Sequence, residues 1–417
     1  MGADECENVY SWGAPGNVLY DLLSTYKIRF EVSVMKILDD IRVLDLCHVW
    51  FGPWSTMMLA YMGAEVIRIE PPWGAIDRAA EGALFGGSSY TFHHLNLNKK
   101  DLTLNLKEPE GLKVFKELLK VSDVVAQNFS PGTMERLGLG YDVLKEVNPK
   151  IIYAALSGFG QTGPYSSRGS YAPIAEAMSG HTRLTGDRQD PEGPPIGMAQ
   201  AYGDLGPGTM AAMSILAAIR YRDRTGIGQM IDVAQLDCMV AYNTGVTGYL
   251  LSGMKPWEIR KKYPMGRGRG GIIQAGDGGW IHIAGFNPRA IDRMKKYLGV
   301  EEVTREVIEE KIKGMGRDEA VKFFVEADIP VAPIYHVDEV VVDPHLEARD
   351  MFVKVEHPKA GEITVINFPV KFSESQPEVV SASPIIGQDS REVLMEVLGY
   401  SEERVMELVR AGVTSLP

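Results

Sequence analysis

The sequence has few of the residues that build disulfide frameworks or metal sites. Its three cysteines, Cys6, Cys47 and Cys238, are widely spaced, and none forms a Cys-x-x-Cys pair. The eight histidines show no His-Glu-x-x-His pattern or similar ligand spacing. This usage is typical of a reducing compartment and predicts neither a disulfide nor a bound metal. We therefore expect a cytoplasmic protein.

Long apolar runs and an excess of basic residues are also lacking. No stretch contains about 18 consecutive apolar residues, the length that a membrane span needs. The first residues lack the basic and apolar regions of a secretory signal. Lys and Arg number 43 against 55 Asp and Glu, a formal net charge of −12. This balance argues against a general nucleic-acid binder, which needs a basic surface. A local anion site remains compatible with it, because a few cations or a helix N-terminus suffice.

The phosphate-binding signatures of common nucleotide folds are absent too. Glu70 ends a predicted strand, where a dinucleotide-binding fold places its ribose-binding acid, but the preceding loop, residues 48–53, lacks Gly-x-Gly-x-x-Gly. A nicotinamide dehydrogenase is therefore disfavoured. The glycine-rich run at 266–271 lacks the Gly-x-x-x-x-Gly-Lys-Ser/Thr pattern of a phosphate cradle. We interpret it as a mobile loop that can serve as a lid.

What the sequence does contain is an alternation of strands and helices. Short runs rich in β-branched residues occur at 41–47, 64–70, 123–127 and 151–157, with helical segments between them. A strand, a helix and a strand within about 30 residues form a parallel βαβ unit. The repeated pattern predicts an α/β fold with an open, mostly parallel, Rossmann-like sheet. Helices are expected over 109–120, 135–147, 172–178, 209–222 and 390–411, and antiparallel strands over 350–371.

The chain is expected to divide into three parts. Residues 1–34 lack a globular pattern and are predicted to be an N-terminal extension. A large domain is expected from residues 35–240 and 346–417, so that both ends of the chain build it. Residues 241–345 are predicted to form a smaller α+β domain.

One carboxylate is a candidate on local grounds. Asp204 lies in Ala-Tyr-Gly-Asp-Leu-Gly-Pro-Gly, residues 201–208, just before an apolar helix. One interpretation is an N-cap, whose side chain accepts a hydrogen bond from the first helical N–H groups. A second and compatible interpretation is a nucleophile. A helix N-terminus favours the ionised carboxylate by roughly 0.3–1 kcal/mol, and flanking glycines leave room for a substrate carbonyl.

Several segments, in order along the chain, resemble the family III CoA-transferases, the group that contains formyl-CoA and carnitine CoA-transferases and the acyl-CoA racemases. The resemblance extends from about residue 41 to the C-terminus. It rests on GAEVIRIEPP at 63–72, HLNLNKKDLTLNLKEPEG at 94–111, VVAQNFSPGTMERLGLGYDVLKEVNPKIIYAALSGFG at 124–160 and RYRDRTGIGQMIDVAQLD at 220–237. So many ordered matches are more specific than one short motif. The chain is identified as a member of this family, and CoA transfer is the activity that the resemblance implies.

The resemblance also implies which residues act. It places the family's catalytic aspartate at Asp204, which attacks the donor thioester to give a mixed anhydride and then an enzyme–CoA thioester. It matches the glycine-rich run to a loop that shields the intermediate from water, with Gly268, Gly270 and Gly271 as its substrate-facing glycines. Coenzyme A contacts are implied for Trp50, Phe51, Leu104, Asn105, Leu106, Lys107, Asn128, Phe129, Ser130, Arg136, Arg168, Gly169, Ser170 and Tyr171.

Two positions depart from the family pattern. Pro71 stands where relatives can carry an arginine after the second strand, and Trp50 stands where a polar residue is common. The bulky Trp50 favours a larger or aromatic acyl group or a reshaped adenine site, with simple packing as the alternative. The resemblance further implies coenzyme A as co-substrate, no metal and no nicotinamide. It implies an interlocked homodimer, or a heterodimer with a related chain.

Two rival functions follow from the same family. Racemases carry a His-Asp pair in the stretch that reads Gly169-Ser170-Tyr171 here, and a racemase needs a second group to deliver the proton to the opposite face. A non-catalytic partner subunit is the other alternative, and the presence of Asp204 argues against it. The identities of the donor and acceptor acids stay open.

Overall fold

The computed structural model describes residues 36–79, 82, 85–262, 271–284 and 288–417 of the 417-residue chain. The predicted extension at 1–34 and the predicted lid glycines Gly268 and Gly270 lie outside these residues. The strands are β1 Arg42–Asp45, β2 Glu65–Glu70, β3 Lys99–Thr103, β4 Val124–Gln127, β5 Ile152–Ser157, β6 Met230–Ala234, β7 Gly271–Gln274, β8 Trp280–Ile283, β9 Val331–Pro333, β10 Phe352–His357 and β11 Gly361–Ile366.

The helices are more numerous than the sequence pattern indicated. They are α1 Phe51–Tyr61, α2 Tyr90–Leu95, α3 Pro109–Lys120, α4 Thr133–Arg136, α5 Tyr141–Val147, α6 Ala172–Met178, α7 His181–Gln189, α8 Tyr202–Thr225, α9 Gln235–Tyr242, α10 Thr244–Ser252, α11 Pro256–Lys262, α12 Pro288–Leu298, α13 Arg305–Ile312, α14 Arg317–Glu326, α15 Val337–Val340, α16 Pro344–Ala348, α17 Ser390–Glu392 and α18 Glu402–Arg410. A 3₁₀ turn covers Ile76–Arg78, and a π-helical turn, Val393–Val397, follows α17.

The first six strands form one parallel sheet in the order β3-β2-β1-β4-β5-β6. The predicted α/β fold with a parallel sheet is therefore confirmed. Strands β1 to β5 are almost continuously buried, as expected where helices cover both faces. The edge strand β6 is buried only in its last two residues. The chain runs outward from β1 to β3 and then resumes on the other side at β4. The carboxyl ends of β1 and β4 therefore flank a topological switch point, where open α/β sheets form their ligand crevice.

Two apolar cores lie on opposite faces of this sheet. One contains residues of α1 and α8, such as Leu59 and Ile215. The other contains residues of α3 and the C-terminal helices, such as Phe115 and Leu408. The C-terminal segment also bonds the β3 edge, since Asp101 N–H donates to Asp389 Oδ2 at 2.7 Å. The end of the chain thus helps to hold the sheet that carries the crevice.

Two further sheets lie outside the parallel one. Strands β7, β8 and β9 pair antiparallel, and their core is shared with α12, α13 and α14. Strands β10 and β11 form an antiparallel hairpin, which confirms the alternating pattern expected over 350–371. In the part of the chain that the structure describes, no helix is both long enough and apolar enough to cross a membrane.

Three helix boundaries differ from the sequence expectation. The helix expected over 135–147 is two helices, because Gly138 between them has a φ of +69°, a left-handed conformation that glycine adopts readily. The C-terminal helix is likewise interrupted at Gly399, with a φ of +71°. Helix α8 begins at Tyr202 rather than at residue 209. Its low-propensity first turns, which include Pro207, are held by packing against α1 and α6, and tertiary contacts of this kind override intrinsic propensity.

Candidate active site

A cavity of about 340 Å³ opens at the switch point of the parallel sheet. Its walls come from the loops after β1, β4 and β5 and from the first residues of α8 and α9. A volume of this size is at the lower end of the range for small-molecule sites. The lining residues are His48, Val49, Trp50, Phe51, Asn128, Phe129, Ser130, Thr133, Leu156, Ser157, Gly158, Gly169, Ser170, Tyr171, Asp204 and Gln235.

Asp204 lies in the first turn of α8, with its side chain in the wall of this cavity. Ala201 occupies the N-cap position, and its side chain makes no capping hydrogen bond to the helix. The N-cap interpretation of Asp204 is therefore wrong. The free N–H of Gly203 is instead bonded by Glu176 of α6, whose Oε1 accepts it at 2.9 Å. Because Glu176 caps the helix, the carboxylate of Asp204 is left available to the cavity.

Burial changes the acidity of Asp204. The residue is only 7% exposed, and desolvation raises its pKa to about 7, with the negative charge of Glu176 adding to the rise and a hydrogen bond from Gln235 opposing it. The helix N-terminus was expected to favour the ionised form, but burial outweighs that smaller effect. At neutral pH Asp204 therefore exists in both protonation states, and its carboxylate is a stronger base than an exposed one.

Two consecutive side-chain hydrogen bonds orient Asp204. Gln235 Nε2 donates to Asp204 Oδ1, and Ser170 Oγ donates to Gln235 Oε1 at 3.1 Å. The ionised form of Asp204 only accepts hydrogen bonds, so in that form the amide N–H faces Asp204 and the amide oxygen faces Ser170. Gln235 itself is 4% exposed. Both ends of its buried amide are thus satisfied, and the carboxylate plane is fixed.

The glycines around Asp204 make room for protein rather than for substrate. A Cβ at Gly203 would lie 2.6 Å from the carbonyl oxygen of Ala172, and one at Gly208 would lie 2.7 Å from the carbonyl oxygen of Phe51. These contacts let α6 and α1 approach α8 closely. The expectation that these glycines leave room for a substrate carbonyl is therefore not supported. They allow close helix packing instead, and this packing places Glu176 and the loop between β1 and α1 beside Asp204.

The loop between β1 and α1 forms the opposite wall. Asn128, after β4, clamps it by accepting the His48 N–H at 2.9 Å and donating to the His48 carbonyl at 2.8 Å. Val49 has a φ of +69°, which is rare for a β-branched residue and costs of order 1–3 kcal/mol. Strain of this kind persists only where the surroundings impose it, and it is concentrated at functional sites.

A buried ion pair imposes the conformation of this loop. Asp77 Oδ2 accepts the Val49 N–H at 3.0 Å, and its other oxygen accepts from Arg68 Nη2 at 2.8 Å. Arg68 Nη1 also donates to the Cys47 carbonyl at 3.0 Å. Arg68 and Asp77 thus hold both sides of the turn that presents Trp50. Both side chains are almost fully buried.

The structure brings together half of the predicted site residues. Asp204 shares one cavity with the loop residues Trp50, Phe51, Asn128, Phe129, Ser130, Gly169, Ser170 and Tyr171. Arg136 lies beside it, because its Nη2 donates to the cavity residue Thr133 at 2.8 Å. Gly271 begins β7 with a φ of +96° and does not line the cavity.

Other predicted contact residues lie away from Asp204. Leu104 is buried in the sheet core, and Asn105 bonds the C-terminal segment through its N–H. Leu106 and the exposed Lys107 follow on the same loop, and none of the four lines the cavity. The guanidinium of Arg168 stacks on Tyr165 at 3.9 Å.

Sequence reasoning missed eight residues of the site, of which Thr133, Leu156, Ser157 and Gly158 line the cavity wall. Glu176 and Gln235 contact the α8 N-terminus and Asp204, and His48 and Val49 line the opposite wall. Burial lowers the pKa of His48. Glu176 occurs in an otherwise apolar helix, a signal that could have identified it. Nothing in the local pattern of Gln235 relates it to Asp204, because 31 residues separate the two.

No group of three or more His, Cys, Asp and Glu side chains suited to a metal ion occurs within the described residues. The polar groups of the cavity lining include the carboxylate of Asp204 and the buried amide of Gln235. A carboxylate with a raised pKa, in a crevice, is suited to act as a base or as a nucleophile.

The protein-family profile described as CoA-transferase family III matches residues 38–390 of the chain. The chain belongs to this family. It is accordingly an enzyme of the CoA-transferase class, as the sequence resemblance implied. The match covers the parallel sheet, the cavity and the helices that surround Asp204.

Curated relatives match over nearly the whole chain. A formyl-CoA:oxalate CoA-transferase of Streptomyces coelicolor is 32% identical, covering 91% of this chain and 99% of the relative. The human succinyl-CoA:glutarate CoA-transferase is also 32% identical, covering 94% and 93%. A succinyl-CoA:mesaconate CoA-transferase of Haloarcula hispanica is 33% identical, covering 89% and 99%.

Solved structures share the fold. A CAIB/BAIF family protein from Brucella suis aligns with a TM-score of 0.77 and 29% identity, covering 87% of this chain and 99% of that one. A protein from Mycobacterium tuberculosis aligns with a TM-score of 0.71 and 26% identity, covering 86% and 99%. The family III architecture therefore extends beyond the parallel sheet to most of the chain.

Proposed function

We propose that the protein moves coenzyme A from an acyl-CoA donor to a free carboxylic acid, with Asp204 as the covalent nucleophile. The observation that carries the proposal is the placement of one carboxylate, with a pKa raised to about 7, in the wall of the switch-point cavity. Family membership supports the reaction class, and the site geometry supports the residue.

The proposed reaction has two halves. Ionised Asp204 attacks the thioester carbonyl, the C–S bond breaks, and a mixed anhydride and CoA thiolate form. The thiolate then attacks the aspartyl carbonyl, which expels the donor carboxylate and leaves an enzyme–CoA thioester. The acceptor carboxylate reverses this sequence and leaves as the new acyl-CoA. Covalent catalysis divides one difficult exchange into easier acyl transfers.

Coenzyme A is proposed to enter along the loops after β1, β4 and β5. Arg136 beside the cavity is an available cation for a phosphate group. The cavity walls include the rings of Trp50, Phe51 and Phe129, which supports an acyl group with an apolar or aromatic portion. Relatives act on oxalate, glutarate and mesaconate, so a dicarboxylic acid is the class of acceptor that we propose to test first.

The racemase alternative receives no support from the site. The backbone of Gly169-Ser170-Tyr171 does line the cavity, but these residues supply no His-Asp pair for proton delivery. The relatives reported above are all named as transferases. We further propose that the chain acts as a dimer with a second copy of itself.

The test is a panel of acyl-CoA donors and free acids read by mass spectrometry, with Asp204→Asn as the variant. This change keeps the shape and the hydrogen-bonding capacity of the side chain but removes the nucleophilic carboxylate. We expect activity to fall by at least about a thousandfold, in the range seen when a catalytic nucleophile is removed. The control is Asp237→Asn, an acidic residue of α9 outside the cavity lining. Turnover by Asp204→Asn at the wild-type rate would overturn the assignment.

A further inference from the structure

Gln235 occupies an unusual position for a buried polar side chain. It is the first residue of α9, directly after β6, and it lies at the carboxyl edge of the sheet beside the cavity. Burying an amide has a cost unless both its donor and its acceptor are bonded. Here the donor side faces Asp204 and the acceptor side faces Ser170. The amide is therefore fixed before any substrate arrives.

The two oxygens of Asp204 differ because of this contact. Oδ1 accepts the Gln235 N–H, whereas no described residue donates a hydrogen bond to Oδ2. Oδ2 is the oxygen with the less stabilised lone pairs and is free to attack. Once Oδ2 carries the acyl group, Oδ1 becomes the carbonyl oxygen of the aspartyl half of the anhydride, and the Gln235 N–H remains directed at it.

We propose that Gln235 is a catalytic residue that supplies the oxyanion-stabilising donor for attack at the carbonyl carbon of Asp204 itself. When CoA thiolate attacks that carbon, a C–S bond forms and the π electron pair moves onto Oδ1. The Gln235 Nε2–H stabilises this negative oxygen. The tetrahedral intermediate then collapses, the bond to the bridging Oδ2 breaks, and the donor acid leaves as a carboxylate with both electrons. The inference rests on the proposed function.

The contribution of this donor differs between the steps. A neutral anhydride or thioester carbonyl is a weaker acceptor than a tetrahedral oxyanion, so the hydrogen bond strengthens as the second step proceeds. Only such differential stabilisation accelerates a step. In the first step the oxyanion develops on the acyl group, away from Gln235. During this first step the hydrogen bond from Gln235 withdraws electron density from the attacking carboxylate of Asp204. Gln235 therefore accelerates the second step and not the first.

The test is a single-turnover reaction of Gln235→Met with succinyl-CoA in the absence of an acceptor acid. Methionine keeps the length and approximate volume of the side chain but has no N–H donor. Samples are quenched with acid at successive times, the released CoA is separated from the protein and quantified, and the mass of the intact protein is measured. The matched control is Gln376→Met, because Gln376 is hydrogen-bonded in a loop outside the cavity.

At a pH well above the pKa of Asp204, where this carboxylate is ionised in both proteins, we expect Gln235→Met to release CoA from succinyl-CoA at close to the wild-type rate or faster. Formation of the enzyme–CoA adduct should be about 100-fold slower, the loss that is typical when one oxyanion donor is removed. A merely structural role for Gln235 would instead slow both steps together.

Three outcomes overturn the inference and are distinguishable. If wild-type Asp204 is labelled but Gln235→Met forms the enzyme–CoA adduct within about twofold of the wild-type rate, the role of Gln235 is wrong and the proposed function survives. Equal slowing of both steps has the same consequence. If wild-type protein never carries an adduct on Asp204, the proposed function fails, and the inference fails with it.

Discussion

At the scale of single residues, the site contains two buried carboxylates on adjoining helices, and each carboxylate has a different role. Glu176 bonds the N-terminus of α8, and Asp204 faces the cavity. A nearby like charge disfavours ionisation, and the charge of Glu176 raises the pKa of Asp204. In the proposed mechanism, acylation removes the charge of Asp204 and relieves this repulsion. The pair would then favour the proposed covalent intermediate relative to the free ionised enzyme.

This pairing predicts a pH effect for Glu176→Gln. In the proposed reaction Asp204 attacks only when it is ionised, so activity should fall as pH decreases through its pKa of about 7. Removing the charge of Glu176 lowers the pKa of Asp204, so the acid limb should move to lower pH. A shift of one unit would raise the ionised fraction well below the midpoint about tenfold. The measurement is kcat/KM against pH.

The glutamine variant keeps an oxygen that can accept the Gly203 N–H, so the helix cap is retained. Glu319→Gln, an exposed change on α14, is the matched control and should leave the profile unaltered. An acid limb that stays at the wild-type position in Glu176→Gln would show that the charge of Glu176 does not act on Asp204.

At the scale of elements, the loop between β1 and α1 depends on strands and turns that follow it in the chain. The buried pair Arg68–Asp77 holds the strained Val49, and Lys99 of β3 supports the same region by donating to Asp45 at 2.9 Å. Removing one member of a buried ion pair leaves an uncompensated charge, which typically costs 3–5 kcal/mol.

We therefore expect Asp77→Ala to lower the free energy of unfolding by about 3 kcal/mol or more. Because the Val49 N–H loses its acceptor, the loop should relax and kcat should fall even where the protein remains folded. Denaturant unfolding and steady-state kinetics measure the two effects. The control is Glu362→Ala, which breaks the exposed pair with Lys354 and should change stability by less than about 1 kcal/mol. Similar losses in both variants would contradict a structural role for the buried pair.

At the scale of the whole molecule, helix α10 presents apolar side chains to solvent. Leu250 is 78% exposed and Leu251 is 85% exposed, and α10 has no buried residue. Contiguous exposed apolar residues mark interaction surfaces. Under the proposed dimer, a second copy of the chain covers this helix.

The prediction is that the wild-type chain elutes at twice its monomer mass, and that Leu250→Asp with Leu251→Asp shifts it toward the monomer. A charge buried in an apolar interface is costly, which is the reason for the shift. Light scattering coupled to size exclusion measures the mass, with Lys322→Asp on α14 as the control. A wild-type chain that is monomeric at all concentrations would contradict the dimer.

The alternation of elements, and hence the parallel sheet, could be predicted from the sequence, because β-branched runs and helical periodicity are local properties. The sequence also indicated Asp204, through the resemblance, and the loops after β1, β4 and β5 that line the cavity. The helix boundaries were harder to predict from the sequence. Propensity disfavours a helix through Gly203 and Pro207, and only the close packing of α1 and α6 against α8 stabilises one there.

Only the tertiary structure decided the chemistry around that carboxylate. Glu176 and Gln235 lie 27 and 31 residues from the groups they bond, and no local pattern relates them. The raised pKa of Asp204 is likewise a consequence of burial rather than of its neighbours in sequence. Desolvation and hydrogen-bond geometry depend on which surfaces the fold brings together, and that information is absent from any short segment of the chain.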